Sequence, residues 1–287
     1  MTRKTAGIVG TGMIGSSVGL RLFELGWTVM GHDVDAAACA RAIERGAIGA
    51  AVTLDELYRD SEVIVLASHL RGTLFELARM RGTNAPPASL VLDVASVKGP
   101  VVRSAQGLPN FVASHPMAGS ERSGPTAAAA DLFAEKTWLY VPTSDAPLNE
   151  RAERFIAGLG ARPVAVDADR HDAIVALTSH VPQVLATVFA ARLAGQENTG
   201  DIVPYCGPTA RELARLSRSN PAMWHDSLQA NRANIVRELR ALTADLTLAA
   251  DALEARDVYY FDEAFERARE ACSSLSAWPH RNFASEA

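Results

Sequence analysis

Short apolar runs recur through the first half of the chain, and stretches with the helical spacing of apolar residues lie between them. Such wholly apolar runs are typical of strands that are buried on both faces of a parallel sheet. The pattern predicts strands at residues 5–9, 28–32, 63–67, 90–93, 111–113, 138–141 and 163–166. The alternation of strands with helices predicts an α/β domain with a mostly parallel sheet.

The pattern changes after Asp167, where long helical stretches replace the strands. These stretches cover residues 170–193, 228–253 and 262–274. We therefore expect two domains, an α/β domain at residues 1–167 and an all-α domain at residues 168–287. Pro182 lies within the first long helix and removes the hydrogen bond to the carbonyl of Thr178, so this helix should be kinked.

A glycine-rich segment, Gly10-Thr11-Gly12-Met13-Ile14-Gly15, joins the first predicted strand to a helix that ends near Gly26. In this position the glycines allow a tight turn and the close approach of a pyrophosphate, whose charge is favoured by the helix N-terminus. The alternative is a glycine-rich turn in an unrelated α/β protein. Asp33 ends the second strand, where a carboxylate can bind the ribose 2′-hydroxyl, and Asp35 adds charge that would repel a 2′-phosphate. The pattern predicts a Rossmann-type domain that binds NAD through Gly10, Gly12, Met13, Ile14, Gly15 and Asp33.

The composition limits the classes of function. With 287 residues, of which 48% are hydrophobic, the chain can bury two cores. A net charge of -5 with interspersed signs argues against a nucleic-acid or membrane surface. Residues 1–4 lead straight into a strand, so we expect a cytoplasmic protein without a signal peptide. Cys39, Cys206 and Cys272 are too widely spaced for a zinc site or a disulfide framework, and we expect reduced thiols and no metal.

The most distinctive stretch is Ser114-His115-Pro116-Met117-Ala118-Gly119-Ser120-Glu121-Arg122-Ser123-Gly124. It follows a predicted strand, so His115 should emerge at a strand end, where functional side chains commonly lie. Pro116 stops that strand, and the glycines punctuate a loop that should hold His115, Ser120 and Glu121 close together. A single histidine at a strand end is often structural, but its combination with a dinucleotide-binding segment favours a role in chemistry.

Two further strand ends place polar side chains at the same edge of the sheet, where ligands bind in such folds. Ser68 and His69 follow the third strand, and Ser96 and Lys98 follow the fourth. Ser68 is a candidate for cofactor binding, whereas His69 either touches the cofactor or is exposed in a loop. Ser96 could meet a substrate hydroxyl, and Lys98 either meets a substrate group or is a solvated charge at a helix start.

The helical half contributes further polar candidates. His180 either points into the cleft between the domains or is a buried histidine satisfied by a carbonyl. Arg211 and Arg215 are four residues apart and share a helix face, so they either bind an anionic ligand or are solvated charges that pair with Glu212. Asn220-Pro221 is typical of a helix start.

Together these motifs resemble those of the prephenate and arogenate dehydrogenase family of tyrosine biosynthesis, over almost the whole chain. The matching segments are residues 10–15, 93–98, 115–121, 179–182, 215 and 219–224. The segment that begins at His115 is the most specific of them. The resemblance implies a Rossmann-type N-terminal domain with a mostly parallel sheet, followed by an all-α C-terminal dimerisation domain, in a homodimer.

That family oxidises the ring carbinol of a cyclohexadienol with NAD(P), while the ring carboxylate leaves as carbon dioxide and the ring becomes aromatic. The resemblance implies that His115 accepts the ring hydroxyl proton, Ser96 helps to hold that hydroxyl, and Arg215 binds a substrate carboxylate. It further implies a substrate pocket lined by Ser120, Glu121, His180, Gln183, Glu212 and Trp224. The expected function is NAD-dependent conversion of prephenate to 4-hydroxyphenylpyruvate or of arogenate to tyrosine.

The chain departs from the family pattern near the substrate. Gln183 stands where the family often has a second histidine, Glu212 where it usually has aspartate, and Ala214 where it usually has threonine. Residues 68–70 also differ from the usual apolar and proline residues. The substrate therefore stays open among prephenate, arogenate and a modified analogue such as an amino-deoxy prephenate.

Two other functions remain to be weighed. A β-hydroxyacid dehydrogenase has a similar fold plan, but its Lys-x-x-x-Asn pair is not visible in the first long helix. A non-catalytic NAD-binding regulator would not need His115, Ser96 and Arg215 together. Because the chain ends soon after its last helix, we expect no fused regulatory domain, and any feedback control by tyrosine would act at the active site.

Overall fold

A six-stranded parallel sheet lies at the centre of the N-terminal half of the protein. The computed structural model describes residues 4–82, 89–119, 122–195 and 202–277. The strands of this sheet are β1 (Thr5–Val9), β2 (Thr28–His32), β3 (Ala50–Ala51), β4 (Val63–Leu66), β5 (Leu90–Asp93) and β6 (Phe111–Val112). Their order is β3-β2-β1-β4-β5-β6, with all pairs parallel, which confirms the predicted sheet. The winding reverses between β1 and β4, where such folds bind ligands.

Helices cover both faces of this sheet. They are α1 (Met13–Glu24), α2 (Ala36–Glu44), α3 (Leu54–Asp60), α4 (Leu70–Gly82) and α5 (Gly99–Ser104). Val63 and Val65 of β4 belong to one buried cluster, and Ile64 and Leu66 belong to another on the opposite face. Because every residue of β4 is buried, this strand has the continuous apolar run that the sequence shows.

A second, three-stranded sheet begins one residue after the first sheet ends. It consists of β7 (Ser114–Pro116), β8 (Thr137–Tyr140) and β9 (Arg162–Ala165), and α6 (Ala146–Gly158) connects β8 to β9. β7 and β8 are antiparallel, whereas β8 and β9 are parallel. His115 therefore lies within β7, opposite Leu139, rather than at the end of a single strand continuing from residue 111.

Helices make up the remainder of the described chain. They are α7 (Ala168–Val175), α8 (Val181–Ala194), α9 (Pro208–Arg215), α10 (Pro221–Ala230), α11 (Arg232–Glu254) and α12 (Val258–Ala277). A π-helical turn, Ala176–His180, joins α7 to α8, so the irregularity expected at Pro182 lies in the turn just before it. α10 begins at Pro221 as predicted, and the helix expected over residues 228–253 is interrupted at Asn231.

The chain forms two compact units, Met1–Ile235 and Val236–Ala287. The first unit contains both sheets and extends through the helices from α7 to α10. The domain boundary that the sequence places near Asp167 stays a prediction. By length and composition alone, Ala168–Ala194 could cross a membrane. One such stretch is weak support for a span, because core helices of soluble proteins share these properties, and this one carries the buried side chains of His171 and His180.

A buried ion pair joins the two sheets to α7. Lys98 is fully buried, and its ammonium group donates to the Asp93 carboxylate and to the Ser114 carbonyl oxygen, the latter at 2.6 Å. Asp93 also accepts from the backbone N–H of Ser114 at 2.8 Å. The backbone N–H of Lys98 donates to Asp172 of α7 at 2.7 Å. Both expectations for Lys98, a substrate contact and a solvated charge, are therefore wrong: it is a buried structural cation.

We predict that Lys98→Met destabilises the protein strongly, because it leaves the Asp93 carboxylate buried without its cation. The expected loss in free energy of unfolding is about 3–5 kcal/mol, measured by urea denaturation with tryptophan fluorescence. Arg59→Met is the control, because Arg59 pairs with Asp60 at the surface, where both side chains are about half exposed or more. It should leave the unfolding midpoint unchanged. Equal midpoints for both variants would contradict this account of Lys98.

Candidate active site

The glycine-rich segment forms the turn between β1 and α1, at the carboxyl edge of the sheet. Gly10 has a φ of +97°, and a Cβ there would lie 2.7 Å from backbone atoms of Ala67 and Ser68. A Cβ at Gly15 would overlap the Gly10 carbonyl oxygen. A Cβ at Gly12 would instead meet nothing within 4 Å. The segment is thus packed on its inner side and open at Gly12.

The N-terminus of α1 fits the pyrophosphate of a dinucleotide. No side chain caps this end, and its first turn carries no acidic residue. The positive end of the helix dipole therefore faces the space beside Gly12 without a competing negative side chain from the first turn of α1. Met13, Ile14 and Gly15 are the residues whose backbone would hold the phosphates, as the sequence predicts.

Asp33 stands directly after β2, beside this turn. One carboxylate oxygen accepts from the backbone N–H of Thr11 at 2.7 Å, and the other accepts from the backbone N–H of Asp35 at 3.0 Å. Asp35 caps α2 and is paired with Arg41 at 3.2 Å, so its charge is partly offset. Asp33 thus presents a half-buried carboxylate beside the glycine-rich turn.

Two other segments approach the glycine-rich turn. The backbone of Ser68, which follows β4, packs against Gly10, and its hydroxyl lies 3.3 Å from that of Thr73. His69 is exposed, which confirms one of its two expected environments. A Cβ at Gly119 would lie 3.8 Å from the Met13 methyl group, so the loop after β7 reaches the cofactor turn.

His115 is the first member of a buried chain of hydrogen bonds. Its Nδ1 lies 3.0 Å from Nε2 of His171, and Nδ1 of His171 lies 2.8 Å from a carboxylate oxygen of Asp172. Asp172 also accepts from the backbone N–H groups of Lys98 and Gly99, at 2.7 and 2.8 Å. Because Nδ1 of His115 faces His171 in this chain of hydrogen bonds, Nε2 is the ring nitrogen of His115 that is available to a ligand.

Burial sets the charge states in this chain. Desolvation, and then electrostatic interactions with His171, Lys98 and His180, lower the pKa of His115 well below its usual value. Burial raises the pKa of Asp172, but the hydrogen bonds from His171, Lys98 and Gly99 outweigh it, and the net pKa is lowered. At neutral pH His115 is therefore a neutral base and Asp172 is ionised.

His180 and Trp224 form a second polar group nearby. Asn231 donates through Nδ2 to the Asp172 carbonyl oxygen at 2.7 Å, and the same amide lies 3.1 Å from Nδ1 of His180. Nδ1 of His180 is then an acceptor, so the ring hydrogen is on Nε2. Among the described residues, Nε2 of His180 and Nε1 of Trp224 are buried without a partner, and the two rings meet edge to face at 5.8 Å. Burial lowers the pKa of His180 to about 4, so this ring is neutral.

Other predicted substrate residues have internal partners. The hydroxyl of Ser96 lies 2.7 Å from that of Ser227 on α10. Gln183 donates to the Leu216 carbonyl oxygen at 2.9 Å and accepts from Ser219 at 3.4 Å. Neither contact rules out a ligand, because a hydroxyl and an amide each have further hydrogen-bonding capacity.

Arg215 is half-exposed on α9 and donates to Glu212 at 2.9 Å. This confirms the pairing that the sequence offered as one alternative for Arg215. Ser120 and Glu121 lie outside the described residues, so their assignments stay predictions. Among the described residues, no group of three or more His, Cys, Asp or Glu side chains could hold a metal ion.

Four residues of this site were not predicted from the sequence: His171, Asp172, Ser227 and Asn231. His171 and Asp172 lie in a run of four ionisable residues, 169–172, so the sequence did not distinguish them from exposed charges at a helix start. Ser227 and Asn231 carried no signal either, since a serine or an asparagine on a polar helix is usually exposed.

The comparisons with known proteins point to a single family for most of the chain. Residues 18–165 match the family model of the prephenate dehydrogenase nucleotide-binding domain. Residues 167–267 match that of the prephenate dehydrogenase dimerization domain. The two matches meet where the sequence pattern changes from strands to helices.

Individual proteins give the same result. The chain is 35% identical over 258 residues to a probable prephenate dehydrogenase, NovF, of Streptomyces niveus, which covers 87% of this chain and 69% of that protein. It is 30% identical over 288 residues to the cyclohexadienyl dehydrogenase of Zymomonas mobilis, covering 95% and 96%. The crystal structure of A. aeolicus prephenate dehydrogenase in complex with hydroxyphenyl propionate and NAD+ has a TM-score of 0.86 at 22% identity, covering 94% and 99%. This last similarity shows a shared fold.

The open space at Gly12 generates a prediction about the cofactor. Gly12→Ala should fold normally but bind a nicotinamide dinucleotide about tenfold or more weakly, because the added methyl group occupies the space beside the helix N-terminus. Isothermal titration calorimetry measures the affinity. Gly15→Ala is the contrasting variant: its Cβ meets the Gly10 backbone, so it should lower the melting temperature as well. Unchanged affinity in Gly12→Ala would place the phosphates elsewhere.

Proposed function

The chain belongs to the prephenate dehydrogenase family, whose members are oxidoreductases that use a nicotinamide dinucleotide, and we propose that it oxidises and decarboxylates prephenate with NAD. The observation that carries the proposal is the setting of His115. It is a neutral imidazole on β7, backed by His171, and its loop reaches the glycine-rich turn. A base so placed can take a proton from a group that loses hydride to the cofactor.

The proposed chemistry has two linked steps. When bound, the nicotinamide ring supplies the acceptor for the hydride that leaves the ring carbinol carbon. His115 accepts the hydroxyl proton at Nε2, so the O–H electron pair forms the carbonyl double bond. The ring carboxylate then leaves as carbon dioxide, the electrons of the broken carbon–carbon bond complete the aromatic ring, and His115 returns the proton to the oxygen, which becomes the phenol hydroxyl. Ser96 orients the hydroxyl toward His115.

Two buried N–H groups support an oxygen-rich substrate. Nε2 of His180 and Nε1 of Trp224 lack partners among the described residues, and a buried donor without a partner is costly. A substrate carboxylate or carbonyl oxygen would satisfy both. Arg215 binds a second carboxylate from α9, and it should orient more than neutralise, because tight binding of the departing carboxylate would oppose its loss.

We favour prephenate over arogenate because of Glu212. Arogenate carries an ammonium group that needs a carboxylate or carbonyl partner, whereas Glu212 is already paired with Arg215. Gln183 is neutral, and Leu216 and Ser219 hold its amide. Arogenate is the alternative that the substrate assay decides, and turnover of neither compound would favour a modified substrate such as an amino-deoxy prephenate.

The proposal also includes the oligomeric state and the cellular location of the enzyme. Leu177 and Val188 on the helices from α7 to α8 are more than half exposed, which supports burial by a second copy of the chain. The match of residues 167–267 to a dimerization domain supports the same homodimer. We place it in the cytoplasm, where a biosynthetic dehydrogenase would find its cofactor.

The first test offers the purified protein prephenate and arogenate separately, each with NAD and with NADP, and follows reduced nicotinamide by absorbance. We expect turnover of prephenate with NAD. His115→Asn should lower the turnover number by roughly 10²–10⁴ with unchanged NAD affinity, the effect of losing a general base. His225→Asn is the control, because His225 is exposed on α10. Activity of His115→Asn near that of the parent would remove the base from the mechanism.

Cofactor choice depends on Asp33. Asp33→Ser should reduce the NAD-to-NADP ratio of kcat/KM by about tenfold or more, because the 2′-phosphate no longer meets a carboxylate and the ribose loses a partner. The same substitution at exposed Asp60 is the control and should leave the ratio unchanged. Equal use of NAD and NADP by the parent enzyme would refute this role.

A further inference from the structure

Two backbone N–H groups fix the direction of the hydrogen bonds behind His115. The N–H of Lys98 donates to one oxygen of Asp172, and the N–H of Gly99 donates to the other. A backbone N–H group can only donate, so both oxygens of Asp172 act as acceptors. Asp172 is 7% exposed, and its place at the end of the chain of hydrogen bonds is set by the fold.

This direction passes through both histidine rings. Nδ1 of His171 faces the acceptor Asp172 at 2.8 Å and must carry its hydrogen. In the neutral ring Nε2 of His171 is then bare, so Nδ1 of His115, 3.0 Å away, must carry the next hydrogen. Nε2 of His115 is left bare. A free neutral histidine prefers the opposite tautomer, with hydrogen on Nε2, and that form could not accept a proton there.

We propose that His171 and Asp172 are positioning residues that hold His115 in the tautomer whose Nε2 can accept the substrate proton. The proposal rests on the proposed function for its consequence, but not for the tautomer itself. The carboxylate of Asp172 also stabilises the positive charge that His115 gains, through the intervening ring of His171. This arrangement resembles an Asp–His pair extended by a second imidazole.

Several charged groups surround these three residues. His115 faces Lys98, from the segment before α5, and His180, from the π-helical turn. Oδ2 of Asp172 and the Arg103 guanidinium of α5 both lie close to the Cβ position of Gly99, at 3.0 and 3.3 Å. These groups would also contribute to the pH dependence of turnover in any variant of the three residues. The tests therefore measure the tautomer of His115 and the turnover number at a fixed pH.

The first test reads the tautomer directly in the full-length protein without substrate. Proton–nitrogen correlation NMR of protein with labelled histidine separates ring nitrogens that carry hydrogen from those that do not. His115→Asn identifies the signals of His115 among the seven histidines. We expect hydrogen on Nδ1 and a bare Nε2. A hydrogen on Nε2 in the parent protein would overturn the proposal, whatever substrate the enzyme turns over.

The second test is Asp172→Asn. The asparagine side chain has one oxygen and one NH2 group in place of the two carboxylate oxygens. Whichever position the NH2 group takes, it faces a backbone N–H group, so the side chain can no longer accept from both Lys98 and Gly99. We expect turnover to fall by roughly 10²–10⁴, with KM and NAD affinity changed little, and the His115 signals to shift toward the Nε2–H form. Asp169→Asn, on the exposed side of α7, is the matched control and should behave like the parent. Parental turnover in Asp172→Asn would contradict the proposal.

A third comparison covers the case in which Asp172→Asn does not fold. His171→Gln keeps an oxygen that can accept from Nδ1 of His115, whereas His171→Leu removes the acceptor. At equal melting temperatures, the glutamine variant should turn over about tenfold or more faster than the leucine variant. Equal rates would overturn the proposal. If the parent protein turns over neither prephenate nor arogenate, the proposed function fails while the NMR result still decides the tautomer.

Discussion

The geometry of the candidate active site depends on one ion pair that has no exposed side-chain surface, between Lys98 and Asp93. Asp93 ends β5, and the pair binds the backbone of Ser114 on both its N–H and its carbonyl side, next to His115. The backbone N–H of Lys98 meanwhile binds Asp172. A buried charge pair is a weak source of stability, but here it sets the distance between β7 and α7, and hence between the two histidines.

The π-helical turn has a similar geometric purpose. In a regular α-helix, residues 172 and 180 would be eight positions apart and would point about 80° away from each other around the helix axis. A π turn acts as a one-residue insertion, which makes the separation equivalent to about two turns and brings both residues onto one face. Asn231 can then bond to the Asp172 carbonyl and to His180 at once. Two polar groups of the site, on His115 and on His180, are thereby joined through α7.

The sequence predicted the sheet, the cofactor turn and His115 because each has a local signal: an apolar run, glycines at a fixed spacing, a histidine before a proline. It did not predict the break between β6 and β7. The chain passes from the first sheet to the second at Ala113, and an alanine there is indistinguishable from a residue within a continuous strand. It also missed His171 and Asn231, whose roles come from the packing of α7 and α10 against the N-terminal sheets. For Lys98 both expected environments were wrong, because a lysine after a strand is usually exposed. Its ammonium group is buried only because the buried Asp93 carboxylate pairs with it.

The closed end of the hydrogen-bond chain has a consequence for proton accounting. Conversion of prephenate to its phenolic product, carbon dioxide and reduced NAD releases no net proton, because the phenol oxygen needs one as the ring becomes aromatic. Asp172 is held by two backbone N–H groups and so ends the chain inside the protein. In the proposed reaction, His115 and His171 would therefore hold the proton for the interval between hydride loss and aromatisation and return it to the same oxygen. An active site of this kind would store the proton itself and would need no proton path to bulk water.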